Sequence, residues 1–171
     1  MGTLDNLLSI VQDAIAGAPL DAGFGKAMEA ALVKGHTAAY LAAAAERAGV
    51  KVDSGLFKGL SKAERADIKA AVKEQLDYLK GFIAAKEDMS EAAIKARAAM
   101  YAGSVRATYG RSRYPGLLQY PGDGNTKCLT NCLCSLDERD DGIHWVLAAA
   151  ENCEDCQAMA AGGPYRVHDQ D

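Results

Sequence analysis

The sequence predicts a mainly α-helical protein that ends in a small cysteine-rich module of β-hairpin and helix, treble-clef-like in layout. Three observations carry this reading. Apolar residues recur at helical spacing through most of residues 1–113. Two Pro-Gly pairs and a Gly-Asn pair interrupt the pattern within residues 114–127. All five cysteines then fall between Cys128 and Cys156, with spacing C-x3-C-x-C-x18-C-x2-C. The expected organisation is an α-helical domain over 1–113, a Pro/Gly linker or arm over 114–127, and a cysteine-rich zinc-type module over 128–171.

The helices follow in order. Leu4, Leu7, Leu8, Val11 and Ile15 lie on one face of a helix over 3–17, which Gly17-Ala18-Pro19 ends. A second helical region spans Asp21 to Ala48, with Phe24, Met28, Leu32, Tyr40 and Leu41 on its apolar side. Gly35 is a candidate break there, and His36 reads as a helix-start histidine without a catalytic partner. Lys51 to Gly55 reads as a loop. Ser61-Lys62-Ala63-Glu64 is a capping box, in which the serine oxygen takes a free amide and the glutamate reaches back. It opens a helix to about Lys86, striped by Ile68, Val72, Leu76, Leu79, Phe82 and Ile83. After a short link, Glu87-Asp88-Met89, which favours an antiparallel pair, a helix is expected from Asp88 or Ser90 to Tyr109.

Composition limits the function classes. The 171 residues carry a net charge of −4, which argues against a general nucleic-acid binder. Large core formers are sparse, with three Phe and one Trp, and alanine makes up much of the apolar content. Such helices pack closely but bury little area per residue, so the chain is expected to lean on partners. No run of about 18 apolar residues predicts a membrane span. The N-terminus lacks the basic start and apolar stretch of a signal peptide. Thiols at metal-ligand spacing then fit a reducing cytoplasm.

The chemistry concentrates in CLTNCLCSLDERDDGIHWVLAAAENCEDC, residues 128–156. Leu129-Thr130-Asn131 forms a short turn between Cys128 and Cys132. In an extended chain Cys132 and Cys134 point to one face and Leu133 to the other. The polar run ending in Asp141-Gly142 is a chain-reversal signal, and Ile143 to Leu147 is the return strand. Glu154 and Asp155 suit the positive end of a helix that carries Cys153 and Cys156 at i and i+3. Cys128, Cys132, Cys134, Cys153 and Cys156 are therefore the candidate ligands of a structural zinc ion. Cys153 and Cys156 form one pair, and Cys128 with Cys132 or Cys134 forms the other. His144 is a further candidate. Disulfides are the alternative, although an odd count leaves one thiol over. No HExxH-type motif or base beside an open coordination position points to catalysis. The acidic residues between Cys153 and Cys156 are expected to raise their pKa values, against a thiol–disulfide enzyme.

Arg97, Arg106, Arg111 and Arg113 alternate with Tyr101, Tyr109 and Tyr114 before the linker. Arg106, Tyr109, Arg111, Arg113 and Tyr114 are the candidate protein–protein interface. The same pairing of arginine with aromatic rings also suits nucleic acid.

Several of these stretches carry a resemblance. YPGDGNTKCLTNCLC from Tyr120, HWVL from His144, ENCEDC from Glu151 and Gly163-Pro164-Tyr165 resemble the C-terminal part of minor head or head-morphogenesis-type proteins of tailed phages. QLDYLKGF from Gln75 and RAAMYAGSVR from Arg97 resemble their helical part. The resemblance covers roughly residues 70–167. It implies a non-catalytic structural role in the virion, near the capsid or portal, as a minor head, capsid-associated or connector component. The implied partners are the major capsid or portal and connector proteins, met in many copies. Nucleic acid and membrane are not among the expected partners, and the implied location is the virion, assembled in the host cytoplasm. The alternative is a zinc-module nucleic-acid-binding or regulatory protein.

Overall fold

The computed structural model describes residues 3–51, 60–84, 90–129, 132–149 and 151–166, and it is mainly helical. Helix α1 (Thr3–Gly17) buries Leu8, Val11 and Ile15 and leaves Ile10 exposed on the opposite side. Leu4 and Leu7 are half-buried and pack beside Leu8, Ala39 and Val105. The apolar face read from the sequence is therefore the packed one.

Helix α2 (Phe24–Ala48) forms the spine, about 37 Å long at 1.5 Å per residue. It packs most extensively on α5 (Val105–Arg113) and next on α1. Gly35 does not break it. A Cβ there would lie 2.4 Å from Val11 Cγ2 and 3.3 Å from Val105 Cγ2, so the glycine lets three helices approach closely. His36 is likewise not at a helix start but midway along α2 and buried. Its Nδ1 lies 2.7 Å from Thr108 Oγ1 and its Nε2 3.1 Å from Ser104 Oγ. The Ser104 hydroxyl donates to the Tyr101 carbonyl at 2.7 Å, so its oxygen accepts from Nε2–H and Thr108 donates to Nδ1. The neutral imidazole thus joins α2 to α5 with both nitrogens paired.

Helix α3 (Lys62–Ala84) begins with the expected capping box. Glu64 N–H donates to Ser61 Oγ at 3.1 Å, and Ser61 N–H donates to Glu64 Oε2 at 2.6 Å. Ile68, Val72 and Leu79 are buried, Leu76 and Phe82 half-buried, and Ile83 exposed. Ser90 caps α4 (Glu91–Met100), its hydroxyl accepting from Ala93 N–H at 3.2 Å. Two expected features, the 87–89 link and most of the 51–55 loop, lie outside the described residues. The neighbour that α3 touches most is α2, and that of α4 is α1.

The expected single helix to Tyr109 is two helices. A 3-10 turn at Tyr101–Ser104 separates α4 from α5 (Val105–Arg113). The Ser104 hydroxyl competes for the Tyr101 carbonyl and tightens the chain there. Among the described residues no helix is long and apolar enough to cross a membrane.

The 114–127 segment, expected as a linker or arm, lies back on α5. Tyr114 and Tyr120 are buried, and Tyr120 Oη donates to the Tyr114 carbonyl at 2.9 Å. Gly122 adopts φ +80°, and a Cβ there would sit 2.7 Å from the Gly103 carbonyl oxygen. The Asp123 carboxylate holds the turn by accepting from Tyr120 N–H and Asn125 N–H, each at 2.9 Å.

One consequence concerns acid stability. Burial, then the nearby Arg111 charge, lowers the His36 pKa from 6.5 to about 4. The unfolded chain therefore takes up this proton first, and stability falls as pH drops from 6.5 towards 4. A shift of that size is worth roughly 3 kcal/mol. Urea unfolding should show this loss in the wild type and its absence in His36→Asn measured over the same window. Equal pH slopes in the two proteins would remove the buried-histidine account.

Candidate metal centre

The C-terminal module is built from a hairpin and a helix, and most of the expected Leu129-Thr130-Asn131 turn lies outside the described residues. Strands β1 (Ser135–Arg139) and β2 (Gly142–Val146) pair antiparallel, with Leu136 opposite Trp145 and Glu138 opposite Ile143. The two-residue turn is Asp140-Asp141: the chain reverses within the expected polar run, but Asp137 to Arg139 of that run belong to β1 and Gly142 opens β2. Ile143 and Trp145 are buried, and His144 between them is half-buried. Tyr165 adds a bridge to Ile143, with reciprocal backbone bonds of 2.9 and 2.8 Å. Helix α6 (Glu154–Gly162) packs on β2, with Cys153 as its N-cap and Cys156 in its first turn.

These elements converge on sulfur. Cys132 and Cys134 are buried at 1% and 2% exposure while Leu133 is 60% exposed, the alternation expected of an extended segment. Cys156 Sγ lies 3.4 Å from Cys132 Sγ and 3.9 Å from Cys128 Sγ. The sulfurs of Cys128, Cys153 and Cys156 all lie within 4.8 Å of one another, and so do those of Cys132, Cys134 and Cys156. Cys156 belongs to both triads. All five are free thiols. Sulfurs bound tetrahedrally at about 2.3 Å sit about 3.8 Å apart, whereas a disulfide needs about 2.05 Å. The spacing and the soft donor set together fit a metal ion.

Trp145, Leu136, Met159 and Tyr165 pack around the sulfurs. The half nearest solvent is tied by Asp155, whose Oδ2 accepts from Lys127 N–H at 2.7 Å, and by an ion pair of Lys127 with Glu154. Asn152 links the two sides: its Nδ2 donates to the Ala148 carbonyl at 3.0 Å and its Oδ1 lies 3.5 Å from Cys134 Sγ. Sequence reading passed over Asn152 as a support; only its place beside Cys153 marked it. His144 belongs to neither sulfur triad, and its Nε2 lies 2.7 Å from Asp141 Oδ1 in the turn.

The thiols differ in acidity. Burial pushes the Cys132 thiol up to about 11 and raises Cys156 strongly. Cys128 is raised and Cys153 lowered to about 7, both first through the hydrogen bond in which the Cys128 thiol donates to the Cys153 sulfur. The expectation that Glu154 and Asp155 would raise Cys153 is thus overturned by its sulfur neighbour.

The residues expected to meet a partner are engaged within the chain. Arg106 lies 3.9 Å from Asp5. Tyr109 Oη donates to the Glu46 carboxylate. Arg111 stacks 5.7 Å from the Tyr120 ring, and Arg113 pairs with Glu138 at 2.9 Å. Tyr114 is buried beneath Arg113 and is not a surface residue. Much of this cluster therefore ties α5 to its own loop and to β1.

No known protein family, curated protein or solved structure matches the chain.

Because Cys156 is common to both triads, Cys156→Ser should damage the module most. Trp145, the one tryptophan in the chain and buried, reports this directly. Its emission should shift to the red in Cys156→Ser, less so in Cys128→Ser, with the helical circular-dichroism signal largely retained in both. Indistinguishable emission in the two variants would remove Cys156 from the centre of the cluster.

Proposed function

We propose that this chain is a non-enzymatic structural and assembly protein whose C-terminal module is clamped by a structural zinc ion, and that it serves in the head of a tailed phage through contacts with other virion proteins. The observation that carries the clamp is the convergence of the other four sulfurs on that of Cys156 at metal-ligand spacing. Four thiolates close a zinc site. Cys156 belongs to the set whichever pair completes it, and the remaining thiol packs as a small apolar residue. Binding displaces the thiol protons, which offsets the burial that otherwise holds Cys132 and Cys156 protonated. The ion would supply only cohesion. The hairpin and α6 bury few large side chains, and below about 40 residues a unit of this kind needs a metal or disulfides to hold it.

The virion reading rests on the resemblance of the stretches at Tyr120, His144, Glu151 and Gly163. Their residues include all five thiols and the supports Trp145, Asn152, Asp155 and Tyr165. A module of this size offers a rigid surface rather than a deep site, which suits adhesion between subunits. The nucleic-acid alternative is weaker, because its arginines are engaged with Asp5, Tyr120 and Glu138 and the net charge is −4.

Co-expression with the portal and major capsid proteins of a tailed phage tests this reading. The wild-type chain should comigrate with one of them on gel filtration, and Cys132→Ser/Cys156→Ser should elute alone with its helices intact. Elution of the wild type alone, together with a salt-sensitive DNA shift whose slope spans several ions, would instead favour nucleic-acid binding.

A further inference from the structure

A zinc site closes with four thiolates, and the module brings five cysteines together. Distance alone does not choose among them. Cys134 lies within 4.8 Å of Cys132 and Cys156, just as Cys128 and Cys153 lie within that distance of Cys156. Burial does not choose either, because Cys132, Cys134 and Cys156 are all almost wholly buried. The direction of the hydrogen bonds at each sulfur does.

A metal-bound thiolate has no proton to give and can only accept. Three of the sulfurs have backbone donors turned towards them. Cys134 N–H faces Cys132 Sγ, Cys153 N–H faces Cys128 Sγ, and the N–H groups of Cys128 and Cys156 face Cys153 Sγ. Each such bond favours the ionised sulfur. Cys156 joins these sulfurs, 3.4 Å from Cys132 Sγ and 3.9 Å from Cys128 Sγ. Cys134 is arranged the other way. Its Sγ lies 3.5 Å from Asn152 Oδ1, which only accepts, so here the thiol is the donor. The Asn152 amide is held in that orientation by its Nδ2, which donates to the Ala148 carbonyl at 3.0 Å. A thiolate at Cys134 would face an oxygen lone pair and add an uncompensated charge in a buried position.

We infer that Cys128, Cys132, Cys153 and Cys156 are the four zinc ligands, and that Cys134 keeps its proton and donates it in a hydrogen bond to Asn152. The ligands then form two pairs, C-x3-C ahead of the hairpin and C-x2-C at the start of α6. The fifth thiol ties the residue just before β1 to the residue just before Cys153. This assignment rests on the zinc reading and narrows it to one ion with a fixed ligand set. It does not require the virion assignment.

The test loads the full-length wild-type protein with ¹¹³Cd²⁺, a soft closed-shell ion that takes thiolate ligands as zinc does. Through-bond correlations from the metal nucleus to cysteine β-protons name the ligands without any substitution. They should appear for Cys128, Cys132, Cys153 and Cys156 and be absent for Cys134. A correlation to Cys134, or none to any one of the four, would overturn the assignment while leaving a bound ion in place. A chain that takes up neither cadmium nor zinc would overturn the assignment and the zinc reading together, so the two failures are distinct. Substitution gives a second readout by competition for zinc with a chromophoric chelator. Cys134→Ser, whose hydroxyl can still donate to Asn152, should retain one zinc ion at an affinity close to that of the wild type. Cys132→Ser, at an equally buried position, should lose more than about tenfold, since even residues that only support a ligand cost that much. Equal losses in the two variants would overturn the assignment.

Discussion

Four cysteine sulfurs gathered around a fifth, that of buried Cys156, set the terms for the C-terminal part of this molecule. Cys156 touches Cys132 and Cys128 and shares a triad with each side of the cluster. Thiols make poor mutual hydrogen bonds, and burial raises Cys132 and Cys156 against ionisation. Such a gathering is favourable when a cation replaces the protons. The rest of the module follows from it. The Cys132–Cys134 alternation aims two sulfurs inward, the hairpin lays Trp145 over them, and α6 delivers Cys156 from its first turn.

The helical body provides a frame of a different kind. Its close contacts use small residues and paired polar groups rather than bulk. Gly35 lets α2 approach Val11 and Val105, and His36 fills its interior position with both nitrogens bonded. Body and module then meet through the 114–127 segment. Tyr120 packs on Gly110 of α5, Arg111 stacks on its ring, and Arg113 reaches Glu138 of β1. The arginine–tyrosine alternation thus serves first as an internal seam. Tyr78, Met100 and Leu129 stay exposed beside this seam, and Leu129 is set in place by the turn that carries Cys128.

What was legible in the sequence was local. The Ser61/Glu64 box needs only residues three apart, and the helix began there. The period-two alternation at Cys132, Leu133 and Cys134 and the chain reversal within the polar run before Gly142 likewise depend on neighbours. The gathering of the cysteines was legible because cysteine spacing is itself a distance constraint. What escaped depends on partners far along the chain. A glycine in an apolar run reads equally as a break or as a close approach, and only the opposing Val11 and Val105 decide for Gly35. His36 has no signal nearby, since Ser104 and Thr108 lie some seventy positions on. The Pro-Gly stretch reads as an arm because its composition shows the turns but not the burial of Tyr120. Gln75 looks like any polar residue on a helix until its burial is seen.

The central claim is that an ion holds the sulfur cluster together, and native mass spectrometry of the reduced, freshly purified chain tests it most directly. The account predicts one zinc ion per chain, lost together with the module's fold on treatment with a strong chelator. A metal-free chain carrying five reduced thiols and a module that stays folded would contradict it.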